Sequence, residues 1–181
     1  MGTIERIYIA PGKRRKVKRI ESAELEAGSG IVGDRYHALA LQYVERDMPV
    51  PANHISFVEQ EKLDEFIGRH ALQVDYGDFR RSVITRGIDL NALVGQHFRV
   101  GEAVCYGVEL CEPCSQLARI VHKAVLTEMR LTAGLRAIIL ESGSVRPGDA
   151  INTIDESLAD LSPVNNPLNG QEILSNSSSS S

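Results

Sequence analysis

Short apolar runs, broken by glycine, proline and charge, dominate the chain, and stretches of helical period are few. Thr3 to Ala10 mixes β-branched and aromatic residues and stops at Pro11-Gly12, which predicts a strand and then a turn. Glu21 to Gly30 is polar and ends in G-S-G, so it reads as a loop leading into G-I-V-G-D-R-Y-H. Residues 38–53 carry Pro49 and Pro51 and show no clear period, which predicts a second loop. His54 to Val58 reads as a short strand. Glu59 to Arg69 sets Leu63, Phe66 and Ile67 at helical spacing, closed by Gly68 and His70.

Further on, Ser82 to Thr85 and His97 to Val100 read as strands. Between them Asp89 is a candidate N-cap for one helical turn through Leu93, with Gly95 as its stop. Val104, Tyr106, Val108 and Leu110 alternate on one face of the next strand. Ser115 to Glu128 reads as one helix with Leu117, Ile120, Val121, Ala124 and Val125 inward. Leu135 to Glu141 and Ala150 to Ile154 read as paired strands flanking S-G-S-V-R-P-G-D. Many short strands and no βαβ rhythm predict a β-rich mixed α/β fold, barrel-like or sandwich-like. The pattern fades after Asp155, so residues 1–155 form one domain and a mobile tail follows from Glu156.

Composition narrows this picture. With 43% hydrophobic and 24% charged residues in 181, the chain suits one soluble globular domain. No run of about 18 apolar residues is present to span a bilayer, and the first residues lack a signal-peptide layout; a cytoplasmic protein is expected. A net charge of −4 argues against a dedicated nucleic-acid binder. The local exception is K-R-R-K-V-K-R at Lys13 to Arg19, which reads as a charged strand edge or solvated loop, or as a collar for an anion.

Three cysteines rule out complete pairing within the chain, and two of them stand in L-C-E-P-C-S-Q-L. One C-x-x-C supplies half of a zinc site, and no other pair of ligands stands near, so zinc is not expected. A dithiol redox pair is a second reading, but the βαβ units of a thioredoxin layout are missing. In a third, Pro113 opens a helix at its first position and Cys114 lies in the first turn, where a thiol is held more readily as a thiolate. Cys111 is then an assistant and Cys105 a small hydrophobe in a strand. Gly33, Asp34 and Arg35 suit a tight turn near an anion, with His37 a further candidate contact. On a pleated strand Arg80 and Arg86 would share a face, with Arg81 opposite, and arginine forks suit phosphate oxygens.

Read in order, G-I-V-G-D-R-Y-H, R-R-S-V-I-T-R-G-I-D-L-N-A-L-V-G, F-R-V-G-E-A-V, C-E-P-C-S-Q-L and G-L-R-A-I-I-L-E-S-G-S-V-R-P-G-D-A-I resemble the MOSC domain, named after the C-terminal domain of molybdenum cofactor sulfurase. The resemblance spans about Gly30 to Ile154. It implies a β-barrel with a few short peripheral helices, in a small stand-alone protein of the bacterial type. It further implies molybdenum cofactor binding, or activated sulfur carried on a cysteine, as in cofactor sulfurases and reductases of N-hydroxylated compounds. Cys114 is then the sulfur carrier or molybdenum ligand, with Cys111 beside it. Gly33, Asp34, Arg35, Arg80, Arg81, Ser82 and Thr85 are expected to line the cofactor cleft. The implied partners are a cysteine desulfurase or a molybdoenzyme. The chain departs from relatives at Ser82, where asparagine is common after the arginine pair, and it lacks their glycine- and lysine-containing loop between Leu39 and Asn53. A non-catalytic anion- or partner-binding module is the reading from another class.

Overall fold

The computed structural model describes residues 1–13 and 15–154. The tail expected from Glu156 lies outside the described residues, as does Arg14 of the basic run. In chain order the strands are β1 (Gly2–Ile9), β2 (Lys18–Ile20), β3 (Ala23–Glu26), β4 (Gly30–Ile31), β5 (Ile55–Glu59), β6 (Val83–Arg86), β7 (His97–Val100), β8 (Ala103–Leu110), β9 (Leu135–Glu141), β10 (Gly143–Val145) and β11 (Ala150–Thr153). The α-helices are α1 (Arg35–Glu45), α2 (Gln60–Arg69), α3 (Ser115–Ile120) and α4 (Val125–Glu128).

Seven strands run in the order β11-β7-β8-β9-β5-β6-β1, and β1 also pairs with β11, so the sheet closes into a barrel. Closure joins the two ends of the sheet and leaves β2 as a short edge strand beside β1. The expected β-rich barrel is therefore the observed architecture. Alternation along the strands sorts side chains to two sides. Ile55, Phe57 and Val83 fill the interior, where Phe57 meets Phe98 edge to face at 5.5 Å. Val58 and Ile84 point outward, into a second core beneath α2, α3 and α4, with Leu63, Phe66 and Leu117. β2 adds to β1 at the edge, so the basic run does supply a charged edge strand.

Several expectations need correction. The Glu21 to Gly30 segment contains β3, because Ala23 and Leu25 alternate inward with exposed Glu24 and Glu26 and join the barrel core. β3 pairs with β4 and β10 in a small separate sheet. The predicted loop at 38–53 begins as helix α1. It shows no period because Ala40 alone is buried, so the good helix formers around it sit on a solvated surface. β9 and β11 do not pair with each other: β9 lies between β8 and β5, and β11 between β7 and β1. Of the alternating set in β8, Leu110 packs on the interior core, which otherwise takes Ala103 and Cys105 from this strand. Register shifts at Val104/Cys105 and Gly107/Glu109 break the simple alternation.

The expected helix from Ser115 to Glu128 is two short helices. The side chain of His122 accepts a hydrogen bond from the Ala124 backbone N–H at 3.2 Å, a local bond that competes with the helical ladder. Pro113 also lies outside α3, because Cys114 is extended (φ −123°, ψ 166°) and serves as its N-cap.

His54, just before β5, is 4% exposed. Its Nδ1 accepts from the Ile139 N–H at 3.1 Å, while its Nε2 is buried with no partner among the described residues. Burial pushes the imidazole from its ordinary 6.5 down to about 4. Protonation therefore favours the unfolded chain. Stability is complete above about pH 6.5 and is lost as pH falls from there toward 4, by roughly 3 kcal/mol. Urea midpoints measured between pH 7 and 4.5 should fall more steeply for the unmodified chain than for His54→Gln, which has no proton to gain there.

Candidate functional site

One end of the barrel opens into a cleft of about 260 Å³, just below the range of about 300–1,000 Å³ usual for a ligand pocket. The C-terminal end of β1 brings Tyr8 to Ala10 there, β5 brings Ser56, β9 brings Arg136, and the segment after β8 brings Cys111 and Cys114. The N-terminus of α1 forms part of the rim with Asp34, Arg35 and Tyr36.

Both cysteines line the cleft, Cys114 exposed and Cys111 buried. The Cys111 N–H donates to the Gly134 carbonyl at 2.7 Å, which fixes the chain where it leaves β8. Burial pushes the Cys111 thiol up, against a pull downward from Arg81 and Arg136. Cys105, enclosed in the barrel, is pushed up to about 12 by burial. It is the small hydrophobe expected. Among the described residues no group of three or more His, Cys, Asp or Glu side chains is arranged to hold a metal ion.

The turn before α1 divides its labour. Gly33 adopts φ +89°, which an L side chain rarely takes, and it does not line the cleft. Asp34 is buried and spends both carboxylate oxygens on backbone: Oδ1 accepts from the Tyr36 N–H at 2.9 Å and Oδ2 from the Ala10 N–H at 2.7 Å. It caps α1 and ties it to the end of β1. Asp34→Ala should lower stability by about 2 kcal/mol, the loss of a cap plus an unpaired buried N–H, readable in a urea melt. Arg35 is left facing the ligand space. Its guanidinium lies 4.5 Å over the Tyr36 ring and donates to the Tyr36 hydroxyl at 2.8 Å. Its Nε is buried without a partner among the described residues. His37 is drawn the other way, to Glu26 on β3.

The arginine-rich segment departs from the expected pleat. Arg80 is not in a strand but takes a left-handed conformation (φ 59°, ψ 37°), ending the 3-10 turn Tyr76–Phe79, while β6 starts only at Val83. As a result Arg80 and Arg81 both line the cleft, and Arg86 lies away at the far end of β6, 3.7 Å from Glu5. Arg80 donates to the Arg15 carbonyl at 3.1 Å and Arg81 Nε to the Ala133 carbonyl at 2.6 Å, so both are anchored with donors to spare. The Arg80 contact also brings the basic run beside the cleft. Ser82 lines the cleft, whereas Thr85 does not: fully buried, it donates to the Val58 carbonyl at 3.2 Å.

Sequence reading missed Ser56 and Arg136, which are register partners across β5 and β9 and line the same cleft. Their signal was a polar residue in each of two otherwise apolar runs. It missed Tyr8 as well, whose phenol is pushed up to about 12 by burial, aided by a hydrogen bond to Asp75, and which stays neutral at the cleft wall.

Residues 45–152 match the family model of the MOSC domain. The chain belongs to the MOSC domain family. That family is associated with molybdenum cofactor binding and sulfurase-related roles. This MOSC domain is similar in fold to the YuaD protein from Bacillus subtilis, with a TM-score of 0.69 at 20% identity, over 84% of this chain and 96% of that one. It is similar to YiiM from Geobacillus stearothermophilus (TM-score 0.64, 15% identity, 90% of this chain and 80% of that one). For YiiM from Escherichia coli the values are 0.57, 18%, 84% and 70%. Among curated proteins none matches the chain. No described helix is long and apolar enough to cross a membrane.

Proposed function

We propose that this MOSC domain binds molybdenum cofactor in the cleft or carries activated sulfur on Cys114. The observation that carries the reading is an exposed thiol opening onto the same cleft as Arg35, Arg80 and Arg81. The residues present fit the cofactor in donor type. Cys114 offers a soft sulfur for molybdenum. The arginines offer planar forks for phosphate oxygens, and Arg35 Nε is a buried donor still lacking an acceptor. When bound, the cofactor would supply redox or sulfido chemistry at its metal. The chain holds the anion, keeps a neutral phenol at Tyr8, and presents one thiol to solvent.

In the sulfur-carrier branch a cysteine desulfurase hands sulfur to Cys114 as a persulfide. Cys111 stands by as a resolving thiol. Its attack on the inner sulfur would form a Cys111–Cys114 disulfide and release hydrosulfide, so atoms and electrons balance. The unequal burial of the two cysteines favours this division of roles over a symmetrical dithiol redox pair.

The test is molybdenum retained after purified protein is incubated with molybdenum cofactor and desalted. A persulfide assay with a cysteine desulfurase as donor runs in parallel. Absence of both bound molybdenum and persulfide label would overturn the proposal.

A further inference from the structure

Ser82 does not face the cleft alone. Its backbone N–H donates to the Ser56 hydroxyl oxygen at 3.1 Å, and the two hydroxyl oxygens lie 3.3 Å apart. Both residues line the cleft. They come from different strands, Ser56 in β5 and Ser82 at the entry to β6, which run parallel. Arg136, the register partner of Ser56, and Arg81 border the same space.

The direction of these bonds has a chemical consequence. A hydroxyl has one proton to give and two lone pairs to receive with. The fixed Ser82 N–H fills one lone pair of Ser56, and either hydroxyl can then give its proton to the other. In both cases one of the two hydroxyl protons is left to be given into the cleft. The chain of donors thus starts at a backbone amide, passes through two hydroxyls and ends as a donor among guanidinium groups. Such a set suits an oxyanion, with Arg81 as the nearer free charge, since Arg136 is also paired with Glu109 and Glu112 lines the same cleft. The Ser82 carbonyl is already taken by the Tyr8 N–H at 2.7 Å, so the donor direction is not offset by a free backbone acceptor there.

We infer that Ser56 and Ser82 form one hydroxyl relay that binds an oxygen of a phosphate-like anion, free or carried on a larger ligand. This rests on the reading of the cleft as an anion site. Ser56 becomes a binding residue of that site together with Ser82.

The experiment titrates inorganic phosphate, and separately phenyl phosphate, into the protein by calorimetry. The unmodified chain is compared with Ser56→Ala, Ser82→Ala, the double variant and Ser56→Thr. Ser56→Ala and Ser82→Ala should each weaken binding about 3- to 10-fold, the worth of one hydrogen bond. The double variant should be no weaker than the worse single one, and Ser56→Thr should restore affinity. A loss with phenyl phosphate alone would assign the relay to a carried phosphate, and a loss with both to the anion itself. Unchanged affinity in Ser56→Ala, or additive losses in the double variant, overturns the relay while leaving the cleft reading intact. No binding of either probe by the unmodified chain overturns the cleft reading and the relay with it.

Discussion

Cys114→Ala is expected to lose essentially all molybdenum retention and all persulfide label while unfolding at the same urea concentration. The Cys114 thiol is exposed and makes no capping hydrogen bond, so its removal should change stability by no more than about 0.5 kcal/mol. Cys111→Ala should behave in the opposite way. It is 2% exposed within the second core, so truncation should cost about 1 kcal/mol in packing, leave molybdenum retention and the persulfide label on Cys114 in place, and block only the release of hydrosulfide from that persulfide. Equal molybdenum retention in Cys114→Ala and the unmodified protein would remove Cys114 as a ligand. An unlabelled Cys114 after sulfur donation would remove it as a carrier. Equal losses in both variants, with a reversible disulfide, would instead point to a dithiol. Neutralising Lys13, Lys16 and Lys18 gives the remaining contrast: a binding module that works through the basic run would lose its ligand there and be indifferent to Cys114→Ala.

Gly134→Ala should destabilise the fold by at least about 3 kcal/mol, because two independent penalties fall on one atom. Gly134 has φ +117°, and a Cβ there would stand 2.1 Å from the Phe57 carbonyl oxygen. That oxygen belongs to β5, whose Phe57 pairs with Leu135, so it cannot move without disturbing the barrel wall. The Gly134 carbonyl also receives the Cys111 N–H, so strain at this point passes straight to the segment that presents Cys114. Gly28→Ala is the control. It shares a positive φ of +75° but has nothing within 4 Å, and should lose only about 1 kcal/mol. Equal midpoints for the two variants in urea would show that the close approach to Phe57 carries no weight.

Much of this protein was legible in its one-dimensional pattern. Runs rich in β-branched and aromatic residues, such as Thr3 to Ala10 and His54 to Val58, fit a pleated, packed surface, so β1 and β5 stand close to where the composition puts them. The helix at Glu59 to Arg69 shows itself because it buries a stripe, Leu63 and Phe66, while α1 hid because it buries only Ala40. Periodicity records burial, and a helix that buries almost nothing leaves almost no record. The motifs around Cys114, Arg35 and Arg80 were likewise visible as short strings.

Tertiary structure decided which of those strings meet. The left-handed turn at Arg80 places it beside Arg81 on the cleft rather than opposite it on a strand, and no spacing rule reports a single backbone rotation. Closure of β1 on β11 decided that the chain forms a barrel, a long-range pairing between residues nearly 150 positions apart that local preference does not encode. Register between β5 and its neighbours brought Ser56 next to Arg136 and within hydrogen-bond reach of Ser82. Local sequence determines what each segment can bury and which chemistry it carries. The pairing of distant strands determines which of those groups share a cleft, because that depends on register and not on order along the chain.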